Sequence, residues 1–443
     1  MRIQLSEHFT FKKLIVFVLP SIIMMVFTNV YTAVDGLFVS NYVGKEALAA
    51  INRIFPMIFI LGSIGMMLGS GGSALVSKTF GEGRKQTANE YFSLIVYVTI
   101  ILGVTVAVAG QFAVPWVAKF VGAEGLTYEY CVLYGRFLLA GHPFFLLQAM
   151  SQSFFITAEK PRLGLAVTVV AGVVNMVLDA VFVAGFKWGL AGAAGATLTS
   201  QVVAGVFPLI YFFSRNNSLL RLGKTGFYIK PLLKAFTNGS SEFLTNASAA
   251  VVTFLYNYQL GKIAGDAGVA AYAAIAYIVM IFFSVFMGYS IGCAPLIGFN
   301  FGAENKTELQ NLFKKSLLII TACGVIMAVL SEALAVPLAK IFVSYDEELL
   351  AMTVRGFRIF SVAFLVSGYG VFGSAMFTAL NNGLISAIVS FMRTVVFQIA
   401  TIMVFPLFWG LDGVWAASVF AEIGSMLISA AFVIAYRKRY GYC

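Results

Sequence analysis

The sequence predicts an all-α integral membrane protein of twelve transmembrane helices. They form two six-helix bundles related by a pseudo-two-fold axis along the membrane normal. Three observations lead there: a composition too apolar for a water-soluble globule, twelve apolar runs of spanning length, and a repeat at an offset of about 221 residues.

The 443-residue chain is 60% hydrophobic and 11% charged, with a mean hydropathy of +0.91. A soluble domain carries about 25% charged residues, so this apolar surface must face lipid. The net charge of +10 would suggest nucleic acid in a soluble protein, but here the basic residues sit in short loops, and no nucleic-acid partner is expected. Cys131, Cys293, Cys323 and Cys443 show no ligand or disulfide spacing. The segment from Arg2 to Lys13 with its following apolar run mimics a signal peptide. The run continues too far and no small-residue cleavage site follows, so it reads as the first spanning helix.

A hydrocarbon core of about 30 Å needs roughly 20 apolar residues in a helix. Runs of that kind occur at 12–39, 48–78, 91–117, 128–157, 163–185 and 189–213. A second set follows at 235–260, 269–299, 312–338, 349–379, 384–407 and 413–436. With the N-terminus inside, nineteen of the 29 basic residues, from Arg2, Lys12 and Lys13 to Arg437, Lys438 and Arg439, fall on the cytoplasmic side. Only Lys45, Arg53, Lys119, Lys187, Lys262 and Lys340 fall on the outer side. This bias predicts a multi-pass inner (plasma) membrane protein with both termini cytoplasmic.

The halves repeat. A shift of 221 brings Phe80-Gly81 onto Phe301-Gly302, Thr157-Ala158 onto Thr378-Ala379, and Trp188-Gly189-Leu190 onto Trp409-Gly410-Leu411. Ala113-Val114-Pro115 matches Ala335-Val336-Pro337 one residue later. Six helices is an even number, so both halves share one orientation. The expected division is an N-terminal lobe 1–213, a polar cytoplasmic linker 214–233 and a C-terminal lobe 234–443. The linker reads equally as a hinge strap or as a plain solvated join.

A carboxylate at the bilayer centre costs about 2.5–3.5 kcal/mol on insertion scales, so an acid inside a span is a functional candidate. Asp35 and Tyr31 are four apart and share a face of helix 1; Asn29 lies on the same helix. Asn175 and Asp179 share a face of helix 5. Carboxylate and amide oxygens from neighbouring turns suit a dehydrated cation such as Na⁺, and two adjacent carboxyls suit a proton. The sequence leaves the two ions open. The alternative is that each acid pairs with a buried arginine, Arg53 or Arg136. At the repeat offset Asp35 falls on Tyr256, Asn175 on Val396 and Asp179 on Ala400, so only the first half carries the acid pair. A structural requirement should appear in both.

Glu332 lies before Pro337 at the outer end of helix 9 and should reach water. Glu422 and Arg393, at similar depth on helices 12 and 11, read as a structural ion pair. Glu242 on helix 7 either attracts a cationic substrate or is a solvated helix end. Pro20 removes a backbone hydrogen bond from helix 1 and is the expected hinge of the helix that carries Asp35.

These fragments in this order resemble the multidrug and toxic compound extrusion (MATE) family, closest to its DinF-like branch. The carriers are Pro20, the N-x-Y-x-x-x-D stretch through Asn29, Tyr31 and Asp35, and the Phe80-Gly81 and Phe301-Gly302 loops. They also include Asn175 to Asp179 and Gly192 to Thr197. The resemblance implies a V-shaped cleft between two bundles, alternating access, and antiport against Na⁺ or H⁺. It places a first-lobe cation site at Asp35, Asn175, Asp179 and Thr197. Glu242 matches a Glu-Phe feature of drug-exporting relatives. No acid stands on helix 10, where the other branch of the family would carry a second-lobe partner.

The expectation is a monomeric, cation-coupled multidrug efflux antiporter for amphipathic, cationic small molecules, with no cofactor beyond the coupling ion. A lipid-linked saccharide flippase would line its cleft with Arg and Lys. A membrane prenyl-transferase-like enzyme would need clustered Asp residues for Mg²⁺. Neither pattern is present.

Overall fold

A computed structural model of the chain describes residues 3–344 and 346–442, apart from the side chains of Leu37, Ser40, Asn41 and Lys45. Arg2, Cys443 and the side chain of Lys45 lie outside the described residues. Among the described residues no strand occurs.

The spans follow the predicted runs with longer ends. The first six are α1 (Phe11–Tyr42), α2 (Lys45–Gly81), α3 (Lys85–Phe120), α4 (Gly125–Ala140 with His142–Thr157), α5 (Pro161–Gly185) and α6 (Gly189–Phe213). The second six are α7 (229–264), α8 (266–302), α9 (Lys306–Val343), α10 (Glu347–Ser361 with Phe364–Ala379), α11 (Gly383–Val404) and α12 (411–440). Among the described residues nine helices are long and apolar enough to cross a bilayer, or eleven with each bent pair taken as one span. The 74-residue helix Ile229–Gly302 supplies the twelfth, because it breaks at Gly265 (φ 61°, ψ −153°). Tyr256 and Tyr272, sixteen residues apart, would stand about 24 Å from each other on a straight helix. Their rings stack at 4.6 Å, so the chain reverses there.

Two features were not legible as apolar runs. α4 and α10 bend by 56° and 51°. In α4 the bend falls at Gly141-His142-Pro143, where proline lacks the N–H that would continue the ladder. In α10 no proline is present, and the Ala363 N–H turns back to the Phe360 carbonyl at 3.0 Å. The second feature is a pair of π segments, Ala180–Gly185 in α5 and Met392–Phe397 in α11.

The backbone repeats along with the sequence. Left-handed φ recurs at Gly44 and Gly265, at Gly83 and Glu304, and at Gly189 and Gly410, each pair 221 apart. Glu159 and Asn381 make a further pair 222 apart. The frame therefore slips by one residue within helices 3 and 4 and returns within helix 5. In either register the residue opposite Asp179 is Ala400 or Thr401, neither an acid.

The halves meet at the end that carries both termini. A Cβ on Gly239 would lie 1.9 Å from the Met67 carbonyl oxygen. Similar approaches of 2.0 Å hold for Gly81 to the Phe299 carbonyl and Gly302 to the Lys78 carbonyl. Backbones in such contact leave no passage. Toward the opposite end, contact between the lobes continues on α1 and α8 to Asn29 and Ser284, and on α2 and α7 to Met66 and Asn246. No hydrogen bond between the lobes occurs beyond these pairs among the described residues, so the cleft opens away from the termini.

Residues 3–10 strap the closed end. The Leu5 N–H donates to Glu159 Oε1 at 2.9 Å, on the loop after α4 of the first lobe. The Phe9 N–H donates to Glu308 Oε1 at 2.9 Å, and His8 Nδ1 meets Glu308 Oε2 at 2.6 Å, both at the start of α9 in the second lobe. Asn311 and Lys315 donate to the Phe9 carbonyl, and the Leu5 and Phe9 side chains are fully buried. Leaving the Phe9 donor without its acceptor costs about 1–3 kcal/mol. Glu308→Ala should therefore speed alkylation of a Leu5→Cys reporter by about fivefold or more. An unchanged rate would show that the strap is held by its apolar side chains alone.

Candidate cation site in the first lobe

α1 and α5 come close because Gly172 carries no side chain. A Cβ there would lie 2.5 Å from Phe27 and 3.0 Å from Tyr31. This approach brings Asp35 on α1 beside Asp179 on α5. Two ionised carboxylates can only accept, so a proton or a bound cation would relieve their repulsion. Asn175 stands one turn before Asp179 on the same face, and both are buried. The π segment of α5 begins at the next residue, Ala180. Widened turns of this kind occur most often at functional positions.

The polar atoms here are unsatisfied. Asp35 Oδ1, both carboxylate oxygens of Asp179, both amide atoms of Asn175 and Thr197 Oγ1 are buried without a hydrogen-bond partner. Thr197 stands on α6, which packs against α5. Such groups in a native fold call for an unseen water or ion. The donor set of two carboxylates, one amide oxygen and one hydroxyl suits a hard monovalent ion or a proton. No group of three or more His, Cys, Asp or Glu residues is placed to hold a metal among the described residues.

No basic side chain pairs with either acid among the described residues. Arg53 donates to the Gly122 carbonyl at the loop after α3, and Arg136 forms no ion pair with either acid among the described residues. The arginine-paired alternative therefore fails at both positions.

The remaining candidates fall elsewhere. Tyr31 lies beside Asp35 and near Gln148 of α4. Asn29 does not join the cluster: its amide donates across the cleft to the Met280 carbonyl at 3.3 Å and to Ser284 Oγ. It sits where α1 faces α8, so it ties the lobes together. Pro20 is buried inside α1, which continues as one helix through it. It adjoins the place where the Ile22 backbone meets Gly288, whose Cβ, if it had one, would lie 2.5 Å from the Ile22 Cα. Glu242 lies in the second lobe, in a cleft shared with Arg393. Arg393 and Glu422 form the expected buried pair, with Nε 3.1 Å from both carboxylate oxygens. Glu332 is half exposed and pairs with Arg358 at 3.5 Å.

Sequence reasoning missed Tyr134 and Gln148 on α4. Tyr134 is buried beside both acids. The only available signal was a phenol and an amide inside an apolar run. Nothing in the sequence shows that the bend in α4 aims them at Asp35 and Asp179.

Duplicated six-helix halves, with a polar and unsatisfied site inside one of them, define the architecture of a membrane transporter. The MatE family model matches this chain twice, over residues 20–181 and 243–404, and the chain belongs to the MATE family. Multidrug export protein MepA of Staphylococcus saprophyticus is 25% identical over 433 residues, covering 97% of this chain and 94% of its own. MepA of Staphylococcus aureus is 24% identical over 432 residues, with the same coverage of each. Among solved structures, a MATE protein in complex with MaL6 superposes with a TM-score of 0.92 at 24% identity, covering 98% and 97% of the two chains. A MATE transporter described as outward-facing gives 0.91 at 25% identity with the same coverage. A Pyrococcus furiosus transporter, described as having a binding pocket of reversed polarity and a different function, gives 0.89 at 25% identity, again over 98% and 97%.

A buried acid that braces the fold would be missed when neutralised; a buried acid awaiting an ion would not. Asp179→Asn should leave the melting temperature in detergent unchanged or raised, corresponding to a loss of no more than about 1 kcal/mol. A fall of many degrees would assign Asp179 to the scaffold.

Proposed function

We propose that this protein is a secondary-active multidrug efflux antiporter of the plasma membrane. It exports amphipathic, cationic small molecules in exchange for H⁺ or Na⁺ by alternating access. The observation that carries the reading is the pair Asp35 and Asp179: two adjacent carboxyls inside one lobe, with no basic partner and no protein donor for three of their oxygens. The names of the staphylococcal relatives support the export of drugs.

Both termini lie on the cytoplasmic side in this reading, as the basic loops suggest. The closed end then faces the cytoplasm and the cleft faces outward. A coupling cation enters from outside and binds at Asp35, Asn175, Asp179 and Thr197. Its arrival removes one of the two negative charges, relieves the repulsion between the carboxyls and lets α1 repack against α5, which favours release of the drug and closure of the cleft. A one-for-one exchange with a monovalent cationic drug moves no net charge, so the concentration gradient of the coupling ion drives it, about 1.4 kcal/mol for each tenfold.

The test is ethidium exchange in proteoliposomes with Na⁺ and H⁺ gradients imposed separately. One gradient should drive ethidium uphill, and Asp35→Asn and Asp179→Asn should each abolish that movement at normal protein levels. Ethidium movement that follows neither gradient, or that survives both substitutions, would overturn the reading.

A further inference from the structure

The segment that joins the lobes does not hang free. Residues 214–228 are not helical, and they are fastened along one face of α3. The Arg221 N–H donates to Asn89 Oδ1 at 2.7 Å and the Gly223 N–H to Ser93 Oγ at 3.0 Å. Tyr97 Oη donates to the Gly223 carbonyl at 2.9 Å. Thr225 Oγ1 donates to the Glu90 carbonyl and Tyr228 Oη to Glu90 Oε2, both at 2.8 Å. Leu220 is fully buried in the core cluster of Phe92, Phe154 and Phe212. The segment is therefore part of the first lobe up to the start of α7.

Its depth follows from α3. Asn89, Ser93 and Tyr97 are four apart and form one stripe, which continues through Ile101, 63% exposed, and the exposed Thr105. In a spanning helix that outer stretch faces lipid. The apolar run of α3, 91–117, is about 40 Å long as a helix, more than a hydrocarbon core of about 30 Å. Its ends therefore stand among the headgroups. At one of those ends the segment lies over the stripe and takes the place of lipid. Irregular backbone is tolerated there, where headgroups and water still answer polar groups.

The outer side of the segment combines two kinds of residue. Arg215, Arg221 and Lys224 are exposed, and no carboxylate pairs with them among the described residues. The Glu90 carboxylate on the helix beneath is occupied by Gln86 and Tyr228. The Arg221 guanidinium is steadied by the Asn216 carbonyl at 3.1 Å. Among these cations stand Phe213, 75% exposed, and Phe227, 73% exposed. Water would leave the rings unanswered, and acyl chains would leave the charges unanswered. The boundary of a leaflet that carries anionic phosphates answers both. We propose that this segment is a docking surface for anionic phospholipid of the surrounding leaflet. The phosphates lie against Arg215, Arg221 and Lys224, and the acyl chains continue past Phe227 along the stripe of Tyr97 and Ile101.

Native mass spectrometry of the delipidated full chain in detergent tests this, with phosphatidylglycerol and phosphatidylcholine of matched acyl chains. The first bound phosphatidylglycerol should be preferred about threefold or more. Arg215→Gln/Arg221→Gln/Lys224→Gln should bring the ratio close to one. Lys224→Glu, at an exposed residue without a protein partner, should lower it alone and serves if the triple variant does not fold. Arg437→Gln/Lys438→Gln/Arg439→Gln removes as many charges at the end of α12 and should keep the ratio within twofold. Glycerol 3-phosphate should not compete. Asp35→Asn should keep the parent ratio even where ethidium exchange is lost, so this inference and the efflux reading fail separately. The proposal is overturned if the parent binds the two lipids alike, if the α12 variant lowers the ratio as far as the linker variant, or if glycerol 3-phosphate displaces the lipid.

Discussion

Hydrocarbon offers no hydrogen bonds, and every polar group within it must be answered by the protein itself. Most of this chain meets that demand locally. Hydroxyls of Thr28, Thr32, Thr99, Thr168 and Ser367 donate to carbonyls one turn back in their own helices, a bond available to any helical serine or threonine. Arg393 is answered by Glu422 across two helices. Asp35, Asn175 and Asp179 on α1 and α5 leave five buried polar atoms without a partner, and that concentration is what makes the pair of helices a candidate binding site.

The closed end obeys the same rule by another means. Where α2 meets α7 and α8, Gly81, Gly239 and Gly302 let carbonyls of the opposite lobe approach within about 2 Å of a Cβ position. Close backbone contact excludes lipid and water together. It is held by van der Waals contact and by the strap of residues 3–10, whose donors end on Glu159 and Glu308. A seam of this kind has few side chains to rearrange. Parting it would uncover the Leu5 and Phe9 side chains of the strap, so strap and seam must move together in the alternating access proposed above.

The fold was legible because lipid imposes a length. Each of the twelve apolar runs became a span, and the Trp-Gly-Leu repeats marked the left-handed turns at Gly189 and Gly410. The candidate site was legible in part, because an acid inside an apolar run is costly and marks a position to look at. Asn29 shares helix 1 with Asp35, but its neighbour is the second lobe, and no local spacing encodes that. The bends in α4 and α10 were hidden as well. A run of apolar residues reads the same whether straight or broken, so the placement of Tyr134 and Gln148 depends on tertiary packing.

The π segments carry a wider consequence. In α5 the widened turn begins one residue past Asp179; in α11 it contains Arg393, well ahead of the matching position. Each widened turn takes up one extra residue and rotates everything beyond it by roughly a quarter turn. Two copies of an ancestral half can therefore keep the same corners and the same overall length while aiming different residues inward. A single inserted residue, absorbed without breaking the helix, is enough to turn different side chains inward in each copy: a carboxyl pair in one, and in the other an arginine paired with a glutamate. Duplication supplies the frame, and displaced widened turns let its two halves specialise.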